Sequence, residues 1–227
     1  MTVRIFSALL CAAALSATAT AQPRVTARES VGAAGTQLNG DSYVGDLTPD
    51  GRYVVFLSAT SSLDGCVGTP AQTSRIAHVY VRDRRSGIVE CVSKSSSGAP
   101  GNGSETRAAI SADGNLVAFV SASTNLVVPA TSNSQVFVRN RSAGTTALVS
   151  VAPDGIAAAN ADSDAVGISD DGRFVVFASG ASNLVPGGTT LDRNQVYLRD
   201  LETGTTILVS VASDGVAEGN DNSGDRR

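Results

Sequence analysis

Thr48-Pro49-Asp50-Gly51-Arg52-Tyr53-Val54-Val55-Phe56-Leu57-Ser58 is written twice more in this chain, as Ser111-Ala112-Asp113-Gly114-Asn115-Leu116-Val117-Ala118-Phe119-Val120-Ser121 and as Ser169-Asp170-Asp171-Gly172-Arg173-Phe174-Val175-Val176-Phe177-Ala178-Ser179. Each copy leads to a second signature: His-Val-Tyr-Val-Arg-Asp at 78–83, Gln-Val-Phe-Val-Arg-Asn at 135–140 and Gln-Val-Tyr-Leu-Arg-Asp at 195–200. A third signature closes each copy: Ile88 to Ser93, Thr146 to Ser150 and Thr206 to Ser210. The arginines at 82, 139 and 199 are spaced by 57 and 60 residues. Three signatures recurring in fixed order mark an internal repeat.

Each repeat reads as four strands. The first is short and built of small residues (44–47, 108–110, 165–168), and the second is the aromatic-Val-Val-Phe run. In the third, Val79 and Val81 alternate with Tyr80 and Arg82 at period two. The fourth is β-branched and ends in Val-Ser. The Asp-Gly pairs supply the first turn, because Gly accepts positive φ and Asp bonds nearby backbone. Gly87, Gly144 and Gly204 stand four residues after an Asp or Asn and suit a hairpin closed by a left-handed residue.

Four-stranded antiparallel units repeated around an axis make a β-propeller, and small residues on the first strand suit its place near the crowded centre. The fold class expected is therefore all-β, a partial propeller of about three full blades plus an extra N-terminal strand. The blades are placed at approximately 36–93, 94–150 and 151–210 within a repeat domain at 22–227. A β-sandwich is the rival, but it does not require the same three signatures to recur. The Ser-x-Asp-Gly-Arg-Tyr-Val-Val-Phe pattern resembles the TolB-like, WD-type β-propeller repeat of bacterial exported proteins. The resemblance runs from Val25 to Ser210, and the copies depart from it where Pro49 is replaced by Ala112 and Asp170. It implies a propeller and leaves activity open, because propellers serve as binding modules, scaffolds and enzymes.

Residues 1–21 read as a signal peptide. Arg4 precedes an apolar run from Ile5 to about Leu15, and Ala19-Thr20-Ala21 offers small residues for cleavage. The expected location is periplasmic or extracellular, with no membrane insertion after cleavage. The net charge of −4 carries no electrostatic footprint for nucleic acid. Ser30-Val31 and Gly35 match Ser210-Val211 and Gly215, so the mature chain is expected to begin with a lone fourth strand. The stretch 211–227 matches the lead-in to a fourth repeat. Three blades fall short of the four to eight that close a ring. Truncation is the first reading, with a longer parent chain and ring closure by oligomerisation as the alternatives.

Three sets of residues are candidates for chemistry. Asn160, Asp162 and Asp164 place oxygens at i, i+2 and i+4, the start of a calcium loop or simply Asx turns entering a strand. Cys66 and Cys91 are either a disulfide or two separate buried thiols. Arg82, Arg139 and Arg199 are either a ligand ring or, as their strand-end position favours, structural bonds between blades. His78 is the only histidine, and Gln135 and Gln195 replace it in the other copies, which favours a structural role. No catalytic residue or cofactor other than calcium is assigned. A nucleophile elbow and a phosphate-cradling loop are both missing from the sequence. The reading is a non-enzymatic exported scaffold for protein or surface recognition. The alternatives are a fragment of a propeller enzyme and a calcium-stabilised structural repeat. The long loops at 59–77, 122–134 and 180–194 are the expected binding face.

Overall fold

The computed structural model describes residues 26–212 except 33–34, 64, 67–75 and 190–192. Residues 1–21, read above as a signal peptide, and most of the 211–227 stretch lie outside the described residues. Twelve strands form in chain order: β1 (Ser42–Leu47), β2 (Tyr53–Ser58), β3 (His78–Asp83), β4 (Val89–Cys91), β5 (Glu105–Ile110), β6 (Leu116–Ser121), β7 (Gln135–Asn140), β8 (Thr145–Leu148), β9 (Ser163–Ile168), β10 (Phe174–Ser179), β11 (Gln195–Asp200) and β12 (Thr205–Leu208). They make three four-stranded sheets, each an antiparallel meander of consecutive strands. The sheets meet through their first strands: β5 packs on β1 and β2, and β9 packs on β5 and β6. The first strands therefore converge while β4, β8 and β12 lie at the outer edges. This is the arrangement of blades in a partial propeller, here called blades 1, 2 and 3.

The turn between the first two strands of each blade has one construction. Ser111 Oγ donates to Asp113 Oδ1 and accepts from Leu116 N, while Asp113 Oδ1 also accepts from Asn115 N. Thr48 with Asp50 and Ser169 with Asp171 repeat the pattern. Gly51, Gly114 and Gly172 sit at φ +68°, +75° and +75°, where a Cβ is strained. The hydroxyl and carboxylate carry the turn, so the residue between them is free to be Pro, Ala or Asp.

The outer strands stop two residues before the Val-Ser signature ends. Ser93, Ser150 and Ser210 instead turn their hydroxyls inward and accept from the backbone N–H of Val79, Val136 and Val196. A side chain here substitutes for a strand carbonyl, and the chain is released toward the next blade. The N-terminal segment follows the same path. The bridge Val31–Gln37 repeats Lys94–Pro100 and Val151–Ala158, and Gly35, Gly98 and Gly155 all take positive φ.

The core lies between blades. Val55, Leu57, Val79, Val81 and Val92 of blade 1 pack with Ala108, Ile110, Val117, Phe119 and Phe137 of blade 2. The opposite face of blade 2, with Ala118, Val120, Val136, Val138 and Val149, packs with Val175, Phe177 and Tyr197 of blade 3. Each blade stacks one aromatic pair across its middle strands: Phe56–Tyr80, Phe119–Phe137 and Phe177–Tyr197, with ring centroids 5.6, 5.8 and 5.7 Å apart.

Candidate functional site

In each blade the loop entering the first strand is tied to the loop leaving the second. Asn102 Nδ2 donates to Thr124 Oγ1 and its Oδ1 accepts from Thr124 N. Asn160 makes the same two bonds to Ser182, and Asn39 the same two to Ser61. Asn160, the first calcium candidate, is thus one of three equivalent clamps. Asp162 Oδ1 accepts from Ser134 N of blade 2, at 2.9 Å. Asp164 pairs with Arg107 of blade 2, at 3.1 Å. The three oxygens are directed to three different partners. Among the described residues no group of three or more His, Cys, Asp or Glu side chains is placed to hold a metal. The alternation at i, i+2, i+4 here serves loop closure and the junction with the preceding blade.

The junction between blades 1 and 2 holds a buried acid–base pair. His78 Nδ1 lies 3.3 Å from Glu105 Oε2 and 3.3 Å from Ser93 Oγ. Ser121 Oγ donates to Glu105 Oε1 at 3.2 Å. Both His78 and Glu105 are buried. Burial pushes the Glu105 carboxyl above its ordinary range, against the opposing pull of His78 and Ser121. Glu105 escaped the sequence reading. Its signal was a carboxylate standing where the other repeats have Ser42 and Ser163, beside the one His standing where they have Gln. The pair lies enclosed between the sheets of blades 1 and 2. It positions the blades.

Arg139 is buried and reaches out of its own blade: its Nη1 donates to Ser95 O at 3.1 Å and to Thr146 Oγ1 at 3.0 Å. Arg199 donates to Thr206 Oγ1 within blade 3. Arg82 pairs with Glu29 and donates to Val31 O, on the N-terminal segment. Arg82 and Arg139 pin the chain entering their blades, whereas Arg199 bonds within its own.

Cys66 and Cys91 are paired as a disulfide in blade 1, with Cα atoms 5.6 Å apart and a sequence separation of 25. The bridge ties the long loop of blade 1 to its outer strand. Cys91, Leu148 and Leu208 occupy one position, opposite Tyr80, Phe137 and Tyr197 respectively. Blade 2 has no such tie. Its corresponding space is a groove of about 620 Å³, bordered by Ser96, Val128, Pro129, Thr146, Leu148 and Ile156. Val128 and Ile156 are exposed apolar residues on its rim. Thr146, on the outer strand, has its backbone engaged by a side chain: Thr146 N donates to Ser96 Oγ, and Ser96 Oγ donates to Thr146 O. The groove is at the rim of the blade, at the end of the long 122–134 loop, and was not anticipated from sequence.

No family model matches the chain, and no curated protein matches it. Among solved structures it is similar to a putative TolB from Agrobacterium tumefaciens, at 17% identity and a TM-score of 0.45, over 74% of this chain and 48% of that one. It is similar to TolB from Acinetobacter baumannii at 16% identity and a TM-score of 0.45, over 78% and 36% of the two chains. The β-propeller domain of the Trilobed protease from Pyrococcus furiosus matches at 12% identity and a TM-score of 0.45, over 74% and 41%. The chain spans less than half the length of each of these.

Proposed function

We propose that this is an exported, non-enzymatic blade-repeat protein that recognises an extended polypeptide segment in the groove beside β8. The observation that carries the reading is the state of that strand edge. Ser96 bonds both backbone groups of Thr146 as a neighbouring strand would, and the next outward-facing backbone along the edge, at Leu148, borders an open groove. An extended peptide that adds to such an edge gains main-chain hydrogen bonds and places alternate side chains in flanking pockets. Val128, Pro129 and Ile156 supply apolar walls for them.

Export is supported by the signal-peptide features of residues 1–21 and by the Cys66–Cys91 pair, which suits an oxidising compartment. The non-enzymatic reading is supported by the enclosure of His78 and Glu105 between blades. The test is affinity capture from the exported protein fraction with the full chain and with V128D and I156D, each shown to melt as wild type does. Capture of a defined partner that both substitutions abolish is expected. Equal capture by wild type and both variants would remove the groove from the account, and hydrolysis of peptide or ester substrates by the wild type would replace it with catalysis.

A further inference from the structure

We infer that the two end faces of the array bind each other between molecules, so that a second copy of this chain covers each. The argument is one of equivalence between positions whose mates are already visible. In blade 1 the side of the sheet turned to blade 2 carries Val55, Leu57, Val79, Val81 and Val92, all at most 2% exposed. The equivalent residues of blade 2 are Ala118, Val120, Val136, Val138 and Val149, again buried, beneath blade 3. Repeat register assigns the same set in blade 3 to Val176, Ala178, Val196, Leu198 and Val209. There Val176 is 39% and Val209 47% exposed, and Ile207 beside them is 55% exposed. An apolar hollow of about 270 Å³ opens on this face, bordered by Val166, Val176 and Val196.

The complementary face is at the other end. What covers blade 1 is β5, through Ala108 and Ile110, and what covers blade 2 includes β9, through Val166 and Ile168. Pairing register places Val44 and Leu47 of β1 at those two positions. Ala108 and Ile110 are 8% and 5% exposed, whereas Val44 and Leu47 are 89% and 58% exposed. The array thus presents one half of a blade junction at each end, and the whole junction occurs twice inside it. Apolar positions that are buried in the other blades and exposed at the ends mark an interaction site. The two halves differ, so the contact is head-to-tail. Two copies of the three described blades bring six, within the four to eight that close a ring.

The test uses the full chain and substitutions at exposed positions, which leave the interior intact. Sedimentation equilibrium of wild type at micromolar concentration is expected to give twice the single-chain mass. V44D and V209D are each expected to give the single-chain mass, with wild-type circular dichroism; L47D and I207D serve in their place if either fails that control. An equimolar mixture of V44D and V209D is expected to recover the doubled mass, because each supplies the half the other lacks. Wild type at single-chain mass throughout the concentration range would overturn the inference. Doubled mass in wild type with no recovery in the mixture would overturn the head-to-tail geometry.

Discussion

The junction between blades 1 and 2 and the junction between blades 2 and 3 are built on one frame and keyed differently. Both carry a main-chain bond between blades at the same place: Glu105 N donates to Ala77 O at 3.0 Å, and Ser163 N to Ser134 O at 2.8 Å. Both bury valines under the first strand of the next blade. The first then encloses His78 and Glu105, whereas the second encloses Gln135 and Ser163. Gln135 is satisfied by neutral partners, donating through Nε2 to Ala159 O and accepting through Oε1 from Ser150 Oγ. The first junction therefore encloses an acid–base pair at the place where the second encloses a neutral Gln and Ser. A stacked apolar frame fixes how blades meet, and a polar key on that frame is replaceable.

Breaking the first key from the histidine side has the largest expected effect. H78A leaves Glu105 enclosed without its basic partner, and removing one member of a buried pair costs about 3–5 kcal/mol. Urea unfolding should report that loss as a lower midpoint at unchanged slope. Removing Arg139 should cost less, about 2 kcal/mol, the range for hydrogen bonds to a charged group. R139A should also lower the thermal midpoint more than R199A does. Arg139 spans from blade 2 to the chain leaving blade 1, at Ser95, whereas Arg199 bonds Thr206 of its own blade. Equal effects would erase the distinction between junction and blade.

The smallest effect is in pH dependence. Glu105 is held above its ordinary value of 4.5 by burial, and it faces His78 and Tyr80 of β3. Its contribution favours the fold below the unfolded value and is lost as pH rises through the folded one. The wild type should therefore gain stability relative to E105Q as pH falls from neutral toward 4. The turn carboxylates act in the opposite sense. Asp113 and Asp171 are lowered by bonds from Ser111 and Ser169 and by backbone N–H groups, so what they contribute is lost as pH falls through their folded values. They are common to wild type and variant and cancel in the difference. A wild type that loses stability relative to E105Q on acidification would contradict the burial of Glu105.

The blades were legible in sequence because their turns are chemical: a hydroxyl, an Asp and a Gly at fixed offsets leave few backbone alternatives. Outer-strand ends were less legible. Ser93, Ser150 and Ser210 stand in for strand carbonyls, and a serine closing a β-branched run looks the same whether it continues the strand or leaves it. The first strands begin two or three residues earlier than expected, because Ser42, Glu105 and Ser163 pair with Ser58, Ser121 and Ser179 through polar side chains that the apolar alternation does not register. Glu105 was hidden for the same reason. The groove beside β8 was invisible because it arises from a tie that blade 1 has and blade 2 does not, and spacing alone does not reveal an unfilled space.

The most direct measurement on the central claim, that the blades are equivalent units meeting through one interchangeable frame, is to install the second key in the first junction. H78Q/E105S writes the Gln–Ser combination of the second junction into the first. Replacing a buried ion pair by groups that need no charged partner is often neutral or stabilising, by about 1–4 kcal/mol for well-packed apolar residues, and the second junction satisfies its Gln with neutral partners. The double variant should therefore unfold at or above the wild-type urea midpoint, although H78A alone falls well below it. A double variant that unfolds as early as H78A would show that the two junctions are not interchangeable.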